Sequence, residues 1–200
     1  LLVGAVANIT VQIGDEAVVV VDAGLADMSA AVLAAIRQLS PRPIEYIIDT
    51  SSDPDAVGGN AALSMAGFVN SGQRGEPTTA GIVAHLKVLD RLTAAKAPDA
   101  AMPTDTYDDY WNFFNDEAIL MYHAPAAHSD GDTYVFFRRS DVISAGDDFE
   151  DAHCFGWEYG ERSFSWSRPI ANKDREIDRP NGIYINLMKN SGGGMFEERA

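Results

Sequence analysis

A layered α/β fold is predicted for this chain of 200 residues, and three observations predict it. Apolar, β-branched runs alternate with segments of helical spacing through the first half of the chain. A helix between strands is the crossover element of a layered protein. A second strand-rich stretch then follows the helical middle, which suggests two sheets or two half-domains and not an alternating barrel. With 46% hydrophobic residues against 22% charged ones, the chain can bury a real core, so wholesale disorder is excluded.

The elements follow in order. Residues 9–13 (ITVQI) and 17–22 (AVVVVD), separated by Gly14-Asp15-Glu16, read as a hairpin whose second strand is dense enough to be buried on both faces. Asp22-Ala23-Gly24 ends that strand. Asp27 can cap a helix over residues 28–39, with Met28, Val32, Ala35, Ile36 and Leu39 as its apolar stripe. Pro41 and Pro43 stop it, and residues 44–49 (IEYIID) return as a strand. A loop over 50–58 precedes a short helix at 59–65 and a short strand at 68–70. Residues 79–95 read as a further helix, with Ile82, Val83, Leu86, Leu89 and Leu92 inside. Residues 98–116 carry no clean period and read as a long surface loop. Strands resume at 118–122, 133–137 and 142–144.

Charge narrows the partners. Thirty acidic residues against 15 basic ones give a formal charge of −15 and a pI near 4.4. A field of that sign repels phosphate backbones and acidic membrane surfaces, so neither nucleic acid nor a membrane is an expected partner. It favours cations wherever carboxylates converge. No apolar run reaches the roughly 20 residues that cross a bilayer. Cys154 is alone, which removes an intrachain disulfide and a CxxC redox pair and is compatible with a cytoplasmic address. The chain opens on Leu1, not Met, so upstream sequence is expected.

Three loops gather metal-compatible groups at strand ends, where α/β proteins place their sites. TSSDPDAVGGN (residues 50–60) carries Asp53 and Asp55, and its Gly58-Gly59 pair lets backbones approach closely. HAPAAHSDGD (residues 123–132) carries His128. SAGDDF places Asp147 just beyond the strand at 142–144. The same Asp-Pro-Asp and Ser-Asp-Gly-Asp strings are also ordinary turn chemistry, and sequence alone leaves both readings open.

Taken together, NITVQIGDEAVVVVDAG, TSSDPDAVGGN, GIVAH read as opening a helix at residues 81–85, HAPAAHSDGD and VISAGDDF occur in an order that resembles the metallo-β-lactamase fold family. The resemblance implies a four-layer αββα sandwich with a metal centre where the two sheets meet at their loop ends. It implies one such domain over residues 1–200, incomplete at both ends, with 150–200 a divergent aromatic-rich tail.

The family's first metal motif, His-x-His-x-Asp-His before Gly-Gly, falls here on Ser51, Asp53, Asp55 and Ala56. Three of its histidines are therefore replaced. By the same resemblance, His128 stands for a retained metal histidine and Asp147 for the bridging aspartate, while the family's last histidine has no clear counterpart. A two-metal pair is not expected. One mixed site from Asp53, His128 and Asp147, with Asp55, remains chemically reasonable for one zinc or manganese ion, as does no metal at all. Asp55 takes the family role of base or water holder, or else braces the start of a helix.

Other residues read more plainly. Ser51 has no histidine near it in sequence and is a poor nucleophile candidate. His123 is expected to pack or hydrogen-bond at a strand end, His85 to face a neighbour or solvent from a helix, and Arg138-Arg139 to end a strand. The tail aromatics Phe149, Phe155, Trp157, Tyr159, Phe164 and Trp166 fit a pocket lining, a partner surface or plain packing, with packing plus a homodimer contact preferred. The function expected is a noncatalytic or weakly active scaffold for binding or oligomerisation. The alternative is a single-metal hydrolase of a small ester, lactone or related acyl substrate.

Overall fold

The computed structural model describes residues 2–5, 7–67, 79–125 and 127–146. They lie in the first of two units into which the chain divides, Leu1–Trp157.

Among the described residues, ten strands form two sheets. β1 (Leu2–Ala5), β2 (Ala7–Ile13), β3 (Val18–Val21), β4 (Ile44–Asp49), β5 (Gly81–His85) and β6 (Asp105–Tyr107) lie side by side in chain order. The β1–β2 and β2–β3 pairs are antiparallel, whereas β3–β4, β4–β5 and β5–β6 are parallel. Parallel neighbours need crossovers. These are α1 (Ser29–Leu39), then α2 (Pro54–Val57) with α3 (Asn60–Ala66), then α4 (Leu86–Ala94). The second sheet is an antiparallel meander of β7 (Tyr110–Phe114), β8 (Ala118–Ala124), β9 (Asp132–Phe137) and β10 (Val142–Ser144).

Side-chain alternation along the strands sorts the core into layers. Val18, Val20 and Ile82 join Val32 and Ile36 of α1 and Leu63 of α3 on one side of the first sheet. Val19, Val21, Ile48 and Val83 point the other way and meet Ile119, Met121, Val135 and Phe137 of the second sheet. All four residues of β3 are buried, as a strand covered on both faces must be. The result is the expected mixed α/β sandwich.

Several elements differ from their sequence reading. Residues 79–95 are not one helix: GIVAH is strand β5, buried along its whole length, and α4 starts only at Leu86. A parallel strand buried on both faces shows no alternation, so its apolar run merges with the helical pattern behind it. Leu86 is accordingly exposed, and Val88 with Leu92 forms the helix's buried side. The stretch 98–116 is not a loop throughout, because β6 and β7 lie within it. β7 (YWNFF) alternates exposed and half-buried residues, with Trp111 and Phe113 turned to the core. Asp27 does not cap α1; it sits in a short 3-10 turn, Ala26–Met28, that leads into the helix without a side-chain cap. Leu39, assigned to the apolar stripe, is exposed. The strand expected at 68–70 and the aromatic tail lie outside the described residues.

Candidate functional site

The site is built on the carboxyl ends of β3 and β4. Asp22, directly after β3, is buried and takes a positive φ of 63°. That conformation costs a non-glycine residue free energy, and here the carboxylate is aimed at Thr50. Asp22 Oδ1 accepts from Thr50 N at 2.9 Å and from Thr50 Oγ1 at 2.8 Å, with Oδ2 2.9 Å from the same hydroxyl. Thr50 O in turn accepts from Thr133 N of β9 at 2.8 Å, which ties the second sheet to the first. Gly146, at φ 56°, lies so close that a Cβ there would stand 2.3 Å from Thr50 Oγ1. Asp22 was read only as a strand terminator. Its isolation behind four valines was the available signal, because a lone acid leaving a buried strand needs donors.

Past Thr50 the chain turns into α2, with Asp53 at the N-cap and Pro54 inside the first turn. Asp53 makes no side-chain cap bond. Its carboxylate instead faces outward: Oδ2 accepts from Ser51 Oγ at 3.2 Å and stands 3.3 Å from His128 Nδ1. The fold thus joins two of the predicted site residues from loops far apart in sequence. The Ser51 hydroxyl donates to the Asp53 carboxylate, whereas an activated serine donates to an imidazole.

Asp55 lies half-buried in the first turn of α2. Its neighbour Ala56 is buried, and its methyl belongs to an apolar cluster with Val57, Ala84, Val88 and Leu92. Position 56 therefore serves the core. Gly58-Gly59 fulfils its expected purpose. A Cβ on Gly59 would lie 2.3 Å from Ala23 O, and Gly59 N donates to Gly24 O at 2.8 Å. Asp147 lies outside the described residues. Among the described residues, no group of three or more His, Cys, Asp or Glu side chains is placed to hold a metal ion. Ser51, Asp53 and His128 do not fit a two-metal centre, which needs more imidazole and carboxylate donors.

A second polar cluster lies beside the His128 loop. His85 ends β5 and caps α4, so it is neither helical nor solvent-facing: its Nδ1 accepts from Lys87 N at 3.2 Å, and it is 1% exposed. Its ring stacks on His123 of β8 with centroids 3.7 Å apart and planes 12° from parallel. His123 makes the expected strand-end hydrogen bond, from Nε2 to Asp130 O at 3.0 Å. Burial, and then the neighbouring His123, hold the His85 pKa below its ordinary value. Tyr107 meets the His85 ring edge-on and is pushed up to about 12 by burial, against its bond to Thr133. The loop itself is braced by Ser129 on Asp132 and by Arg91 on Ser129 and Asp130.

The sequence profile of the Metallo-beta-lactamase superfamily matches residues 3–153. The chain belongs to that superfamily, as a diverged member without an intact metal-binding cluster among its described residues. A solved structure of metallo-beta-lactamase IND-7 superposes with a TM-score of 0.55 at 16% identity, covering 69% of this chain and 57% of that one. A metallo-beta-lactamase from Pontibacter korlensis gives 0.54 at 15% identity, covering 66% and 56%. A different likeness is to the chloroplastic/mitochondrial glutathione reductase of Pisum sativum, 45% identical over 53 residues, which are 26% of this chain and 10% of that protein. The chain thus spans little more than half of the similar structures and a tenth of that reductase. Among the described residues, no helix is long and apolar enough to cross a membrane.

Proposed function

We propose that this protein keeps the superfamily scaffold for binding or oligomerisation and has lost, or nearly lost, metal-dependent hydrolysis. One observation carries the reading: Asp53 and His128 face each other at 3.3 Å, while position 56 is given over to the apolar core. A carboxylate and an imidazole that satisfy each other gain less from recruiting a cation. Protein purified without chelator should therefore hold well under one equivalent of zinc or manganese by elemental analysis, and chelator should leave its melting temperature unchanged. A tightly held equivalent of metal would overturn the reading.

The second reading is a single-metal hydrolase of a small ester, lactone or related acyl compound. The convergence of Asp53 and His128 supports it, since two of its ligands would already be adjacent. Asp147 would complete the set, and Asp55 would serve as a further ligand or hold water. Its signature is stoichiometric metal together with hydrolysis abolished by Asp147→Asn. The homodimer contact and the cytoplasmic address belong to the proposal as well, and sedimentation of the full chain tests the former.

The glutathione reductase likeness covers only 53 residues. Cys154 is the chain's one cysteine, so the chain carries no dithiol pair, and no reduction of glutathione disulfide is expected from the purified protein.

A further inference from the structure

We propose that the stacked His85–His123 pair is a proton-sensitive latch that joins the two sheets and holds the loop carrying His128. The two rings come from different sheets, β5 and β8, and meet face to face at 3.7 Å. Their hydrogen bonds fix their protonation. Nδ1 of His85 accepts from Lys87 N, so it carries no proton and the N–H lies on Nε2. Asp130 O can only accept, so Nε2 of His123 is the donor there. The His85 ring is therefore neutral in this arrangement.

A proton added to either ring works against it. On Nδ1 of His85 it removes the acceptor that caps α4. On His123 it sets a cation against a buried imidazole at stacking distance, where low polarity strengthens the repulsion. The backbone and carboxylate of Asp108 and the carboxylate of Asp130 oppose this at His85 without overcoming burial and His123. Nε2 of His85 is buried without a hydrogen-bond partner, and Asp108 Oδ1 stands 3.9 Å away on an 86% exposed side chain. Asp130, from the His128 loop, is already paired with Arg91 of α4. Tyr107 of β6 meets His85 with its ring edge and spends its hydroxyl on Thr133.

The latch closes on the loop through Asp130, two residues from His128, and on α4 through Lys87. Gly131 sits against the same helix, since a Cβ there would lie 2.9 Å from Lys87 Cβ. Losing the stack therefore frees the loop and the start of α4 together. The sign is fixed by the depressed pKa of His85. The stabilisation is full above the unfolded histidine value of about 6.5 and is lost as pH falls through the lower folded value.

The test follows histidine ring and loop amide resonances of the full chain from pH 8 to 4.5, with melting temperatures alongside. His85 should titrate below the ordinary histidine range, and the amides of Ser129 and Gly131 should shift with the same midpoint. The melting temperature should fall by about 3–6 °C across that step. His123→Phe keeps an aromatic face on His85 but removes the second cause of its lowered pKa, and should flatten part of this fall. His85→Asn keeps an acceptor for Lys87 N and should do the same. An ordinary His85 titration, or loop amides that do not move with it, would overturn the latch using the unaltered protein alone. An undiminished pH dependence in a folded His123→Phe would overturn it independently.

Discussion

At the start of the 50–53 loop, Thr50 is buried, its N–H and hydroxyl are both taken by Asp22, and its carbonyl is taken by Thr133 of the other sheet. At the end of that loop, the side chains of Asp53 and His128 are 36% and 29% exposed and stand 3.3 Å apart. The first region is framework: it fixes where the strand ends of two sheets meet. The second is where the superfamily places its reactive groups, and here three of the motif's histidines are missing. The contrast teaches that framework and site depend on different residues, so the strand ends can be held in place where the motif's histidines are replaced.

Substitution should separate the regions by size of effect. Asp22→Ala should be the most damaging change. It strands the buried donors of Thr50 and leaves a Cβ-bearing residue at φ 63° without the side-chain bonds to Thr50. A loss of about 3 kcal/mol or more is expected in urea unfolding. A loss below 1 kcal/mol would mean that Thr50 is held by other means.

Asp49→Asn should come next and should stabilise. Asp49 is fully buried, with Asn60 Nδ2 donating to its Oδ2 at 2.9 Å, while Asp49 Oδ1 and Asn60 Oδ1 have no hydrogen-bond partner. Burial pushes its carboxyl well above the ordinary range; Asn60 opposes that and Asp22 adds to it. A carboxyl raised on folding gives stability that is full below its unfolded value near 3.9 and is lost as pH rises through the folded value. The variant should therefore melt above the parent at pH 7 and converge with it toward pH 4. The effect at neutral pH is on the order of 1 kcal/mol. A difference independent of pH would show that Asp49 does not titrate in the folded protein.

The smallest effect is expected at the rim. Asp53→Asn or His128→Gln should change stability by about 0.5 kcal/mol or less, because half-exposed ion pairs contribute little. A loss several times larger would move this pair into the framework and change what the site is for.

Much of the framework was legible in the chain. The hairpin, α1, β4 and three of the four strands of the second sheet, β8 to β10, follow from apolar runs, a helical stripe and turn residues, all local signals. The close approach at Gly58-Gly59 was legible for a similar reason, since paired glycines are used where backbones nearly touch. The split of residues 79–95 into a strand and a helix was not, because uniform burial erases the alternation that marks a strand. β7 was obscured for a different reason, the prolines and acids around it, although its four aromatics and their alternation carried a strand signal.

By itself the sequence determined the identity of the groups at the site: a serine, two aspartates and an alanine where the superfamily motif has histidines and aspartate, and a histidine far downstream. Only the tertiary structure decided how they combine. It set Asp53 between Ser51 and His128, turned Ala56 into the core, and stacked His85 on His123 from the opposite sheet. The physical reason is that local propensity acts over a few residues, whereas these contacts depend on the register of parallel strands and on how two sheets pack face to face.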